Sequence, residues 1–394
     1  MTYDFDHSPQ RRGSGCVKWD TAECGPHTLP MWVADMDFRV AEPIIDALRH
    51  RVEHGVFGYC EVSDAYYEAL TGWFSRRHQW TIQREWVIYT TGVVPAISAV
   101  IKALTLPGDK VLIQSPVYNC FFSSIRNNGC MVEDSPLVYA DGTYHIDFDD
   151  FERRTADPKV RAFLLCNPHN PAGRVWSREE LERLHDICLR HHVRVIADEI
   201  HCELVMPGHR FTPFASISEA CEENTIVCNS PSKSFNTAGL QVANIICRNP
   251  ELRERIDRAV NINETCDVNP MGVEAFIAAY NESGEWIDQL CLYLSDNYQA
   301  LRKHFAKRHP ELTVTRLEGT YLVWLHIAPT GLDADTLTRR LLEEGDVLVN
   351  SGTMYGEEAG RDFIRINIAC PRSQMLEGLE RISKVIDNLH HTTN

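Results

Sequence analysis

Along the chain, segments with apolar residues at three- and four-residue spacing alternate with short continuous apolar runs that end in polar residues. That is the pattern of alternating helices and strands. Over 41–54, Ile44, Ile45, Leu48 and Val52 make one apolar face, and Gly55 is a natural stop. A strand is predicted over 86–90, then Gly92, a helix over about 95–104 opened by Pro95, and a strand over 110–114. Further strands are predicted over 160–166, 193–197 and 225–229, with a helix over 179–191. These runs are continuously apolar, which suits a sheet covered on both faces by helices. From about residue 290 the pattern changes. A long helix leads into extended runs over 312–317 and 320–327, a helix near 334–344, a strand over 363–368 and a C-terminal helix. The expected architecture is α/β. A large domain over 48–288 carries a mostly parallel central sheet, and a smaller α+β domain combines residues 1–47 with 289–394.

Composition narrows the function classes. The chain has 394 residues, 44% hydrophobic and 24% charged, which fits a folded chain of two or three domains and not disorder, collagen or coiled coil. Lys+Arg is 39 against Asp+Glu at 55, a formal charge of −16, so no basic footprint for nucleic acid exists. Small anionic ligands stay open, because a few amides or one Arg can bind a phosphate locally. There are 14 cysteines but no CxxC, which removes the zinc-ribbon and thioredoxin patterns and reads as free thiols in a reducing compartment. The first ten residues hold no apolar signal core, and no run approaches the ~20 apolar residues of a membrane span. The expectation is a cytoplasmic protein without membrane contact. The sequons at Asn263 and Asn281 are then chance matches.

Polar residues just past the carboxyl ends of buried strands mark where open α/β sheets bind ligands. Four such ends stand out: Thr91-Gly92-Val93-Val94, Asn170-Pro171, Asp198, and Ser230-Pro231-Ser232-Lys233. Gly92 opens a helix after a strand, an arrangement that suits an anion or a simple turn, and no GxxxxGK[ST] or strand-following GxGxxG is present. Asp198 suits a cationic partner such as a protonated ring nitrogen, and equally a helix cap or salt bridge. Lys233 suits a phosphate contact, a Schiff-base nucleophile or a surface lysine. Arg365 and Asn367 alternate onto one strand face, where Arg365 could clamp a carboxylate or simply face water. Two metal-like strings carry no metal reading. His50-Arg51-Val52-Glu53-His54 falls in the last turn of a helix, and His201-Cys202-Glu203 lacks the PCxxC of zinc deaminases.

The run Asn170-Pro171-Ala172-Gly173, then Asp198-Glu199-Ile200-His201, then Ser230-Pro231-Ser232-Lys233, with Arg365 near the end, resembles a fold-type I pyridoxal-phosphate (PLP) enzyme of aminotransferase class I/II over essentially the whole chain. Leu29-Pro30-Met31-Trp32-Val33-Ala34-Asp35-Met36-Asp37-Phe38, Val56-Phe57-Gly58-Tyr59, Ser115-Pro116-Val117-Tyr118 and Cys166-Asn167-Pro168-His169 are similar to the MalY/PatB family of cystathionine β-lyases and cysteine-S-conjugate C–S lyases. The resemblance implies a role for each matching residue. Lys233 would bond the cofactor covalently and carry the proton. Asp198 would pair with the ring nitrogen. Asn170 would bond the ring hydroxyl oxygen and touch the substrate carboxylate. His201 would face that oxygen, and Tyr118 would stack on the ring. Gly92, Val93, Ser230 and Ser232 would hold the phosphate. Tyr59 would reach it, and the substrate, from the other subunit of a homodimer with shared active sites. Arg365 would clamp the substrate carboxylate. Many aminotransferases carry a phosphate-binding arginine eight residues past the lysine; this chain has Gln241 there.

The resemblance implies α,β-elimination on L-cystathionine or another S-substituted cysteine, giving a thiol, pyruvate and ammonia, with PLP as the electron sink. Transamination on the same site is the alternative. A regulatory protein built on this fold is a third reading, which the intact Lys233, Asp198, Asn170 and Arg365 set weighs against.

Overall fold

The computed structural model describes residues 3–262 and 266–391. Asn263 of the first sequon lies outside them. Seven strands form the central sheet: β1 (Val87–Thr90), β2 (Lys110–Ile113), β3 (Met131–Asp134), β4 (Val160–Cys166), β5 (Arg194–Asp198), β6 (Thr225–Asn229) and β7 (Ala243–Cys247). Their spatial order is β1-β7-β6-β5-β4-β2-β3, and only β7 runs antiparallel to its neighbours.

The continuous apolar runs are explained by two covered faces. Ile196 of β5, Leu164 of β4 and Ile226 of β6 pack with Ile97 and Val100 of the helix Val93–Leu104 and Ile256 of the helix Pro250–Asn261. Val195 and Ala197, on the opposite face, join Leu181 and Leu184 of the helix Arg178–Arg190 and the aromatic layer of Tyr66, Trp73 and Phe276. Ser177 and Glu180 form a capping box that starts the helix Arg178–Arg190. Gly55 takes φ +74 and closes Glu42–His54, as its position after the apolar face predicts.

A second, antiparallel sheet holds β8 (Thr313–Val314), β9 (Leu322–His326), β10 (Asn350–Ser351) and β11 (Phe363–Asn367) in the order β8-β9-β11-β10. The run over 312–317 keeps just two strand residues, because the Arg316 N–H turns away to the Gly142 carbonyl. Leu29–Pro30 pairs in parallel with Val347–Leu348 and draws the N-terminal segment onto this half of the molecule. The positions 47/48 and 288/289 both fall inside helices, Glu42–His54 and Gly284–Arg308. The pattern reading named neither the helix Asp64–His78 nor β3 and β7. His50, Glu53 and His54 sit exposed on the last turn of their helix, where His50 Nδ1 bonds the Asp46 carbonyl. Among the described residues no helix is long and apolar enough to cross a membrane.

The loop between β10 and β11 passes so close to itself that side chains are excluded at two points. A Cβ on Gly352 would lie 2.1 Å from the Gly360 carbonyl oxygen and 2.4 Å from that of Phe363. This backbone-to-backbone approach fixes the turn Gly352–Tyr355, which carries Met354 and Tyr355 to the cavity described below. Gly352→Ala forces those backbones apart and is expected to cost about 2–3 kcal/mol. Urea denaturation monitored by circular dichroism checks this; an unchanged midpoint would contradict the close approach.

Candidate active site

At the carboxyl ends of β4, β5 and β6 lies a cavity of about 430 Å³. Of the residues singled out from sequence, Gly92, Val93, Tyr118, Asn170, Asp198, His201, Ser232, Lys233 and Arg365 all line it. Two do not. Ser230 lies behind the wall: its hydroxyl donates to the Val242 carbonyl (2.6 Å) and accepts the Ser232 N–H (3.0 Å), capping the short helix Pro231–Ser234. Tyr59 is 99% exposed, in the apolar run of Val56 and Phe57, which are also exposed.

Each wall has a distinct chemistry. Asp198 ends β5 with 3% exposure and accepts the Ile200 N–H at 3.2 Å. Burial pushes its carboxyl up to about 7, against the smaller opposing pull of that N–H and of Lys233. A cation placed against it would bring it back to the ionised form. Lys233 follows β6, and its Nζ donates to the Ala34 carbonyl at 2.7 Å. Burial, reinforced by the Arg365 charge, lowers this amine to about 8, although Asp35 and Asp198 pull upward. It is therefore able to exchange a proton near neutrality. His201 is buried and held neutral, lowered to about 3 by burial and by the charges of Lys233 and Arg365. Its Nδ1 has no partner among the described residues. Burial raises the Tyr118 phenol above its ordinary range.

Arg365 is fixed before any ligand arrives. Its Nη1 donates to Asn170 Oδ1 (3.2 Å), its Nη2 to the Trp32 carbonyl (2.9 Å), and its guanidinium lies 4.7 Å from the Tyr355 ring centroid. The Nε is buried and has no partner among the described residues. A buried cation with no carboxylate bonded to it is the complement of an incoming carboxylate. At another side of the cavity the helix Val93–Leu104 begins. Gly92 is its N-cap and offers no side chain, and Val93 and Val94 present N–H groups without intrahelical acceptors. Gln241 is absent from the lining, whereas Ser232 is part of it. An aldehyde cofactor with a ring nitrogen, a ring oxygen and a phosphate arm fits this donor set: Lys233 for the aldehyde, Asp198 for the nitrogen, Asn170 or His201 for the oxygen, and the helix start for the phosphate.

Sequence reasoning quoted the motif Leu29–Phe38 but named no site residue in this N-terminal wall. Trp32, Val33 and Ala34 cross the cavity as an extended strap whose carbonyls are held from the second sheet. Asn367 Nδ2 donates to the Val33 and Asp35 carbonyls (2.7 and 2.8 Å), and Tyr321 Oη donates to that of Ala34 (2.9 Å). Asn236, three residues past Lys233, bonds the Met36 N–H at 3.0 Å and donates to the Met36 and Phe38 carbonyls. Beyond the strap, buried Asp37 gathers Arg11 (2.7 Å), Lys18 (2.9 Å), Trp19 (2.8 Å) and Gln374 (3.0 Å). The available signal was the polar Asn367 inside an apolar strand. Cys120, Cys166, Asn350, Met354 and Tyr355 also line the cavity and were not singled out as site residues.

His201 parts company with its neighbours Cys202 and Glu203, which turn toward His78. Glu203 there accepts His78 (2.6 Å), Trp73 (2.7 Å) and Cys202 (3.6 Å) on one oxygen and pairs with Arg77 (3.3 Å) through the other. That carboxylate is already fully engaged by protein donors.

The model of the family "Aminotransferase class I and II" matches residues 35–382. Cystathionine beta-lyase PatB of Bacillus subtilis is 40% identical, over 97% of this chain and 100% of the relative. Protein MalY of Escherichia coli is 34% identical, over 98% and 99%. Among solved structures, cystalysin of Treponema denticola, which contains a pyridoxal 5′-phosphate cofactor, superposes with TM-score 0.96 at 36% identity, covering 99% of this chain and 100% of that one. The PLP-bound C–S lyase of Staphylococcus hominis gives TM-score 0.90 at 32% identity, over 98% and 99%. With a family match across most of its length and two relatives aligned nearly end to end, this chain belongs to the aminotransferase class I and II family, and within it to the branch that holds PatB and MalY.

Proposed function

We propose that the protein is a PLP-dependent C–S β-lyase that cleaves L-cystathionine or another S-substituted cysteine to a thiol, pyruvate and ammonia. The observation that carries this is the convergence of Lys233, Asp198 and Arg365 on one cavity beside a helix start open to phosphate. PatB is named a cystathionine β-lyase and the S. hominis neighbour a C–S lyase, which supports elimination over transamination. When bound, PLP supplies the electron sink that stabilises charge at the substrate Cα.

The residues divide the work by position. Arg365, already aligned by Asn170, Trp32 and Tyr355, binds the α-carboxylate and so orients Cα. Lys233, lowered by burial to about 8, takes the Cα proton as a neutral amine. The Cβ–S bond then breaks and sulfur leaves as the thiol; the three-carbon remainder takes up water and yields pyruvate and ammonia. Asp198 holds a proton at the ring nitrogen, where desolvation makes its charge count for most. Neutral His201 offers an imidazole nitrogen for the ring oxygen. The strap over Trp32–Asp35 keeps bulk water from the reacting atoms.

We assign residues 48–288 to the cofactor-binding domain and 1–47 with 289–394 to the small domain. We also assign a homodimer. Support comes from Val56, Phe57 and Tyr59, whose exposures of 62%, 59% and 99% leave an apolar run uncovered on one protomer. The free cysteines are consistent with a reducing, cytoplasmic setting.

Four measurements test these assignments. Lys233→Ala is expected to remove the visible cofactor band and to lower pyruvate release by about 10³-fold or more, the scale of a lost acid–base group. The wild type should release pyruvate from cystathionine with no oxo-acid acceptor present; release that requires an acceptor would identify a transaminase. In cofactor-free protein, covalent capture of added PLP needs the neutral amine. Its rate should therefore rise tenfold per pH unit below pH 8 and level off above it, read by absorbance. Sedimentation at micromolar concentration should give twice the chain mass, and a monomer would refute the shared site.

A further inference from the structure

We infer that Tyr321 is a positioning residue for Lys233, acting through the Ala34 carbonyl that both side chains bond. The inference rests on the reading of Lys233 as cofactor anchor and proton carrier. Lys233 Nζ and Tyr321 Oη converge on this single oxygen from two halves of the molecule, at 2.7 and 2.9 Å. Tyr321 is fully buried immediately before β9, and its ring lies 6.1 Å from that of His201. Thr320, just before it, is pinned by its N–H to the Leu204 carbonyl (2.7 Å).

The carbonyls on either side of Ala34 are held separately. Asn367 takes those of Val33 and Asp35, and Arg365 takes that of Trp32. The Ala34 oxygen is thus left to Lys233 and Tyr321. This has two consequences for the amine. A neutral amine carries two N–H groups and one lone pair; committing one N–H to a fixed carbonyl restricts where the lone pair points. The hydroxyl also takes up part of the carbonyl's acceptor capacity, which weakens its hold on a protonated amine. Without the hydroxyl, the carbonyl is freer to move and favours the ammonium form more strongly. The charged and titratable groups that face Lys233 are Asp198 on β5, Asp35 on the strap, Arg365 on β11, Cys120 on the helix Asn119–Asn127, and His201. Removing one neutral hydroxyl changes none of their charges.

The test uses full-length protein, wild type and Tyr321→Phe, freed of cofactor and then offered PLP across a pH series. Capture is followed by absorbance and, after borohydride reduction, by peptide mass at Lys233. The variant's capture midpoint is expected to rise by about half a pH unit or more. After loading, its kcat should fall about tenfold with KM within about twofold, the pattern of an interaction that acts on the chemical step. A midpoint that stays put or falls overturns the inference, since a hydroxyl that merely completes a buried hydrogen bond would alter melting temperature and leave the amine's titration alone. Should Tyr321→Phe not fold, Tyr321→Met fills the space without a hydroxyl and is read the same way. Failure of the underlying reading looks different: the wild type itself would then capture no aldehyde on Lys233.

Discussion

Asp198 and Lys233 are held out of bulk water at the carboxyl ends of neighbouring central strands, and the architecture around them serves that constraint. An isolated buried carboxylate is costly, and the sheet accepts the cost by delivering Asp198 at the end of β5, between Cys166 and Cys228 in register on the flanking strands. Burial moves the carboxyl and the amine toward each other in pKa, to about 7 and about 8. Two groups that would be fully charged on a surface are thereby poised near neutrality, where one can hold a proton and the other can move one.

The parallel sheet alone leaves this site open. Closure comes from a strap with almost no regular structure, Trp32–Asp35, whose backbone carbonyls are the acceptors for Arg365, Asn367, Tyr321 and Lys233. Backbone acceptors suit this role because their positions follow from the chain path and not from rotamers. The strap is anchored at its far end by Asp37, where Lys18, Trp19 and Arg11 hold the carboxylate ionised against the burial that would raise it. Arg365, Lys233 and the N-terminal segment are therefore mechanically linked. Arg365 bonds the Trp32 carbonyl, and Lys233 bonds the carbonyl two residues on.

Among the described residues Arg365 is the one arginine lining the cavity, and Gln241 lies outside it. A further cation would add to Arg365 and Lys233 in a cavity whose one lining carboxylate, among the described residues, is Asp198. Helix-start amides at Val93 and Val94 suit an anion without introducing a further full charge.

Much of this was legible in the chain itself. The apolar runs at 160–166 and 225–229 coincide with strands, because a strand buried on both faces must be apolar throughout. Lys233, Asp198 and Asn170 were readable as candidates because several polar residues follow the ends of such runs; each alone also has an ordinary structural use, and the family resemblance singled them out together with Arg365. Position 193–197 shifted by one residue to Arg194–Asp198, which places Asp198 on the strand itself. The strap was not legible: Trp32, Val33 and Ala34 act through backbone oxygens, which carry no sequence signal, and their partners Tyr321 and Asn367 lie nearly three hundred residues away or more. By itself the sequence determined the alternating α/β layers, since burial period is a local property, and marked polar candidates at the strand ends whose roles came from the family resemblance. Only the tertiary structure decided which carbonyl meets which amine, that Ser230 turns inward as a cap, and that Glu203 departs from His201, because each depends on where distant backbone comes to rest.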